Sequence, residues 1–203
     1  MRTQIRIVAG SLRGRKLACT VSPGLRPTPQ AVREALFSIL GDAVPGRPFF
    51  DVFAGTGAVG LEALSRGASE AAFVERDFRL IDDIERHLKA FAVSDRTRVI
   101  RGDVYRWAER WAPPAGAVNV FLSPPFPDLE RRPDEMLTLL GGLQERLAPG
   151  SVLVLQAEPE EMLARLPRPG EWDERHYGRN VLLFWVKPET SSEPEAPDAA
   201  PLE

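Results

Sequence analysis

Asp51-Val52-Phe53-Ala54-Gly55-Thr56-Gly57-Ala58-Val59-Gly60 is the stretch that decides the fold. With Phe49 and Phe50 before it, residues 49–53 read as a short buried strand that ends at glycines. Helical spacing begins at once over 58–66 and stops at Gly67. Glycine allows the sharp turn between them and lets a ligand approach the backbone, because no Cβ stands in the way. The stretch matches G-x-G-x-x-G, and Glu75 follows Gly55 by twenty residues. A strand, a glycine turn, a helix and a later acid together predict a site for an adenosine-type ligand.

Outward from this unit, strand and helix alternate. Residues 71–75 read as a second strand, and Leu80, Ile84, Leu88 and Phe91 recur at helical period. Residues 97–103 are a third strand, followed by a short helix with Val104, Trp107 and Trp111 on one face. Residues 117–126 give a fourth strand that runs into a Pro-Pro turn. Met136, Leu139, Leu143 and Leu147 mark a helix stopped by Pro149-Gly150, and 151–158 is the most strand-like run. A short helix around Met162, Leu163 and Leu166 precedes a last hairpin that turns at Gly178-Arg179-Asn180. The pattern predicts an α/β fold, a doubly wound, mostly parallel seven-stranded sheet, Rossmann-like, with an antiparallel edge hairpin. Ligands of such sheets bind at the carboxyl ends of the strands.

Three acids stand at those ends. Asp51 precedes the glycines, Glu75 closes the second strand and Asp103 follows the third. A dinucleotide needs its pyrophosphate on the helix N-terminus. S-adenosylmethionine carries no phosphate, and its sulfonium and amino group favour a nearby acid. Asp51 is placed for that charge, Glu75 for the ribose hydroxyls and Asp103 for the adenine amine. The set suits S-adenosylmethionine better than NAD, which rests on the glycines alone. No P-loop motif occurs.

After the fourth strand comes Ser123-Pro124-Pro125-Phe126. Two prolines fix the backbone and remove its donors, so carbonyls are left as acceptors. An acceptor pair beside an aromatic ring suits the exocyclic amine of a planar base. The Pro124 carbonyl and the Ser123 side chain would hold the amine, and Phe126 would stack on the ring.

The N-terminal 47 residues carry a net charge of +6 and the rest −9, within 203 residues of net charge −3. A basic arm on an acidic body points to an anionic partner. The arm reads as a small hairpin with a basic loop at Arg13, Arg15 and Lys16. A helix follows, with Thr28 as N-cap, Pro29 at its first position and Arg33 on its polar side. Residues 188–203, with four prolines and five acids, are expected to be a disordered tail. One cysteine, Cys19, excludes an internal disulfide, and two histidines give no His-rich metal site, so no metal is expected. His87 is expected at the surface, Trp107 and Trp111 in packing, and His176 near substrate at most. No apolar run reaches the roughly 20 residues of a membrane span. No secretory h-region begins the chain, so a cytoplasmic protein is expected.

The motifs in this order, DVFAGTGAVGLEALSRGA, VERD, GDV and SPPF, resemble class I methyltransferases that modify nucleobase amines. RIVAGSLRGRKL, GLRPTPQAVREALFSIL and HYGRNVLLFW narrow the likeness. Over residues 5–187 the chain resembles the RsmD-type family of bacterial 16S rRNA guanine-N2 methyltransferases. The resemblance implies an S-adenosylmethionine site at Asp51, Phe53, Ala54, Gly55, Thr56, Gly57, Glu75, Arg76, Asp103, Val104 and Ser123. It implies a catalytic loop of Ser123, Pro124, Pro125 and Phe126. It places RNA contacts at Arg13, Arg15, Lys16, Arg26, Thr28 and Arg33. The implied partner is 16S rRNA or an assembled or assembling 30S subunit, met by a monomer. Residues 1–47 would be the RNA-contacting hairpin and helix, and 48–187 the methyltransferase domain.

Ser123 departs from the family pattern, which has Asp or Asn before Pro-Pro. A hydroxyl is neutral and shorter than a carboxylate, and charge-assisted hydrogen bonds are roughly twice as strong as neutral ones. Three readings stay open: Ser123 with the Pro124 carbonyl suffices, Asp128 assists, or the protein is a catalytically weakened RNA-binding relative. Adenine-N6 methylation of DNA or RNA is a further alternative, since the same loop serves both bases.

Overall fold

The computed structural model describes residues 2–20, 25, 27–157 and 165–189. Arg26, Met162, Leu163 and all but the first two residues of the expected tail lie outside them, as does the side chain of Phe126.

An antiparallel hairpin, β1 (Arg2–Arg6) and β2 (Lys16–Thr20), opens the chain. Helix α1 (Gln30–Leu40) follows. Then come β3 (Phe49–Val52), α2 (Ala58–Ser65), β4 (Ala71–Glu75), α3 (Phe78–Ala90), β5 (Thr97–Arg101) and α4 (Val104–Arg110). After β6 (Asn119–Leu122), a short helix α5 (Phe126–Arg131) leads into α6 (Pro133–Arg146). Strand β7 (Val152–Ala157) and the hairpin β8 (Asp173–Tyr177) and β9 (Asn180–Val186) complete the sheet. The seven strands lie in the order β5-β4-β3-β6-β7-β9-β8. The first five are parallel, and β9 is antiparallel to both neighbours.

The central strands β3, β4, β6 and β7 are buried on both faces because helices cover both. Phe50 and Val52 pack with Val120, Leu122, Leu153 and Leu155 against Tyr105 and Ala108 of α4 and Leu139, Leu140 and Leu143 of α6. On the other face Phe49, Phe121 and Val154 meet Val32, Leu36, Phe37 and Leu40 of α1. Alternation along β3 therefore turns Asp51 toward the α1–α2 side. Sheet order reverses between β3 and β6, which fixes the cleft above their carboxyl ends.

The hairpin is built into the helical layer. Ile5, Ile7, Leu17 and Cys19 share a core with Leu61 and Leu64 of α2 and Ile84 and Leu88 of α3. Glu62 of α2, fully buried, accepts from Val8 N–H at 2.8 Å, Ala9 N–H at 3.0 Å and Arg66 Nε at 3.0 Å. Leaving buried amides unpaired costs about 1–3 kcal/mol each, so Glu62→Ala is expected to destabilise the protein by about 3 kcal/mol. Calorimetry should show a melting point roughly 6–12 °C lower.

Several local expectations are corrected. Arg33 is buried, 2% exposed, and donates to the carbonyls of Thr28 (2.8 Å) and Arg6 (2.9 Å), tying α1 to the hairpin. Its place is therefore not a polar helix face. Thr28 does not cap α1. Pro29 occupies the cap position without a side-chain bond, and the Thr28 hydroxyl donates to Gln156 Oε1 at 2.8 Å. His87 is buried rather than superficial, because Nε2 accepts from Ala18 N–H of β2 at 3.2 Å. Burial lowers its pKa, which keeps the ring a neutral acceptor. Trp107 and Trp111 stack on one another at 4.9 Å, with Trp111 also against Phe50. Helix α5, which has no counterpart in the periodicity, starts directly after the Pro-Pro turn, with Pro125 at the cap and Pro127 in its first turn, where a missing N–H costs nothing.

Candidate active site

A cleft of about 420 Å³ opens above the carboxyl ends of the parallel strands. Every strand of the parallel set contributes to its wall. Phe53 and Gly55 come from the turn after β3, Glu75 and Arg76 from β4–α3, and Asp103 and Val104 from β5–α4. Ser123, Pro124 and Pro125 form the rim after β6. Gln156 at the end of β7 and Arg179 and Asn180 of the last hairpin close the far side, and Pro27 and Pro29 border it from the N-terminal segment.

Glu75 organises the cofactor-side lobe. Its Oε2 accepts from Gly55 N–H at 2.8 Å, and its Oε1 accepts from Arg76 N–H at 2.8 Å and Asp77 N–H at 2.9 Å. A carboxylate has about four acceptor positions, so one remains for a ligand hydroxyl. Phe53 turns the chain out of β3 at φ 61°, a left-handed conformation costly for a bulky side chain. Its ring meets Tyr105 edge-on at 5.8 Å. The strand thus ends one residue earlier than expected, and the strain sits in the cleft wall.

Asp51 does not line the cleft. It is buried beneath the glycine turn, where Oδ2 accepts from Gly60 N–H at 2.8 Å. Burial, with Glu75 nearby and only partly offset by the Gly60 bond, pushes its pKa up to about 8. Its expected contact with a ligand cation is replaced by support of the turn. A carboxyl whose folded pKa lies above its unfolded value stabilises the fold below the unfolded pKa and loses that contribution as pH rises. Between about pH 4 and pH 8 stability is therefore expected to fall, and Asp51→Asn to flatten that slope; thermal melts across the range measure it.

Asp103 lies in the cleft wall with three of its about four acceptor positions taken. Oδ1 caps α4 through Tyr105 and Arg106 N–H, and Oδ2 meets Arg132 Nη1 at 3.1 Å. Partial burial raises its pKa, but these bonds outweigh it and hold it below the usual range. Arg132 also lies over the Tyr105 ring at 3.9 Å and pairs with Glu135. Ala54, Thr56 and Gly57 lie inside the turn rather than on the cleft wall. Asp128 is buried and paired with Arg76 at 3.5 Å, away from the cleft surface.

Gln156, Arg179 and Asn180 were not legible as site residues. Their signal is sheet register: Leu122 faces Leu155 in the β6–β7 ladder, so the next residues, Ser123 and Gln156, are neighbours. Ser123 Oγ donates to Gln156 Oε1 at 3.4 Å, and Gln156 Nε2 donates to Asn180 Oδ1 at 3.0 Å. The basic loop sits elsewhere. Ser11 N–H and Leu12 N–H bond Ser65 at the end of α2, and Arg15 lies 5.6 Å from the Phe91 ring after α3. Arg13, Arg15 and Lys16 are exposed there, at the end of the helices remote from the cleft. His176 is exposed and pairs with Glu174.

Three amides of the glycine turn are already taken. Gly55 N–H goes to Glu75, Gly60 N–H to Asp51 and Gly57 N–H to the Ala54 carbonyl. The site therefore fits a phosphate-free adenosine ligand and not a dinucleotide.

Residues 5–186 match the family model described as conserved hypothetical protein 95. The chain is 36% identical to ribosomal RNA small subunit methyltransferase D of Escherichia coli strain K12 over 166 residues, 81% of this chain and 80% of that one. It is 35% identical to YlbH of Bacillus subtilis strain 168 over 141 residues, 69% of this chain and 76% of that one. Among solved structures, yhhF from Escherichia coli superposes with a TM-score of 0.71 at 31% identity, covering 92% of this chain and 99% of that one. The glycine turn, the acid-bound cleft and these likenesses agree, and the chain belongs to the conserved hypothetical protein 95 family, that of the RsmD-type methyltransferases, with a class I methyltransferase fold.

Proposed function

We propose that the protein is an S-adenosylmethionine-dependent rRNA methyltransferase of the cytoplasm that modifies the exocyclic N2 of a guanine in small-subunit rRNA. The observation that carries this reading is the joining of two chemistries in one cleft: Glu75, fastened to the glycine turn, and the Ser123-Pro124-Pro125 rim.

When bound, S-adenosylmethionine supplies an electrophilic methyl group on a positively charged sulfur. Glu75 offers its open acceptor position to the ribose, and Val104 and Leu80 give apolar wall for the adenine. Ser123 Oγ and the Pro124 carbonyl accept the two amine hydrogens, which aims the nitrogen lone pair at the methyl carbon. With the cofactor bound, its methyl group would pass to that nitrogen, whose displaced proton would go to water. The proline pair supports this geometry because it cannot turn an N–H toward the amine.

Arg13, Arg15 and Lys16 contact RNA phosphates. α3 has 13 residues, so the basic loop stands roughly 20 Å from the cleft along that helix. The substrate RNA therefore spans the flank of the molecule rather than only the cleft mouth. Replacing all three by Ala should weaken RNA binding and flatten the dependence of log K on log salt by up to three phosphate contacts. Among the described residues no helix is long and apolar enough to cross a membrane. Calorimetric titration tests the cofactor reading: S-adenosylmethionine binds and NAD does not, and the reverse result overturns it.

A further inference from the structure

We infer that Gln156 is a positioning residue that makes the Ser123 hydroxyl a pure hydrogen-bond acceptor toward the substrate amine. The inference rests on the methyl-transfer reading above and explains how a serine serves where the family carries Asp or Asn.

A serine hydroxyl has one proton and two lone pairs, so it presents a donor or an acceptor according to where its proton goes. An amine about to be methylated needs acceptors; a hydroxyl proton aimed at its nitrogen would occupy the lone pair that attacks. Ser123 Oγ stands 3.4 Å from Gln156 Oε1, a long contact that offers its proton an acceptor away from the cleft and leaves its lone pairs to face the amine. A carboxylate at this position would need no such device, because it has no proton to place.

Gln156 is itself held in one sense. Its Nε2 donates to Asn180 Oδ1 at 3.0 Å, so Oε1 is the end that faces Ser123. The buried Thr28 hydroxyl donates to the same Oε1 at 2.8 Å. Two hydroxyls thus converge on one amide oxygen with two lone pairs. β6–β7 and β7–β9 register brings Ser123, Gln156 and Asn180 to one rim, and Thr28 joins them from the segment before α1. Ser123, Gln156 and Asn180 all line the cleft.

The test is methyl transfer to unmodified 30S subunits with labelled S-adenosylmethionine, comparing the wild type with four variants. Gln156→Met removes the acceptor at nearly constant volume and is expected to lower kcat about tenfold, the size of one hydrogen bond of about 1.4 kcal/mol. Gln156→Glu, still an acceptor, is expected to recover most of that loss. In a Ser123→Asp background, Gln156→Met is expected to cost less than about twofold, because no hydroxyl proton remains to be directed. Cofactor titration and thermal melts on each variant show that it is folded and loaded. An equal loss from Gln156→Met in both backgrounds, or a Gln156→Glu chain as slow as Gln156→Met, overturns the inference while leaving the methyltransferase reading intact. Wild-type protein that binds the cofactor but methylates no rRNA overturns both.

Discussion

Ser123→Ala is expected to lower kcat for methyl transfer roughly 30-fold, with S-adenosylmethionine affinity changed less than about threefold. The amine gains positive charge as the N–C bond forms, so a bond from it to Ser123 Oγ strengthens in the transition state and is worth about 2 kcal/mol there. A loss confined to kcat marks an interaction made with the transition state rather than the ground state. Ser123→Asp moves the rate the other way, by about tenfold, since a charge-assisted bond is roughly twice as strong as a neutral one. Steady-state kinetics on both variants, with cofactor affinity measured separately, decide the matter. An unchanged Ser123→Ala rate would remove the serine from the reaction.

The second large effect belongs to Glu75. Glu75→Ala should weaken S-adenosylmethionine binding at least about 100-fold in calorimetric titration, because it removes the ribose acceptor and frees the glycine turn at once. Three backbone amides, those of Gly55, Arg76 and Asp77, lose their shared acceptor in a mostly buried position. The melting temperature should fall as well, since each amide left dry costs about 1 kcal/mol or more. Glu75→Gln keeps an acceptor oxygen for the turn but loses the charge and one acceptor position, so its stability should lie between the two. A variant that is destabilised yet binds the cofactor normally would make Glu75 a scaffold residue and nothing more.

The sheet was readable because its central strands β3, β4, β6 and β7 are apolar on both faces and the longer helices show their stripes. The glycine turn, the Pro-Pro rim and the closing hairpin all stand where their spacing puts them. What the sequence hid was the direction of individual polar groups. Asp51 and Glu75 look alike as acids at strand ends, yet alternation along β3 buries Asp51 under α2, while Glu75 closes its strand at the rim. Arg33 reads as a charge on a helix surface, but the hairpin supplies carbonyls that draw it inside. Gln156 carries no motif, and Asn180 stands in HYGRNVLLFW only as a turn residue. They join the site only through register between strands far apart in sequence, which no local pattern records.

The most direct measurement is to digest 30S rRNA methylated by the purified protein with labelled S-adenosylmethionine and identify the labelled nucleoside by mass spectrometry. The account predicts N2-methylguanosine at a single site of the small-subunit rRNA. Label on an adenine, or none on any rRNA from a protein that binds the cofactor, would contradict it.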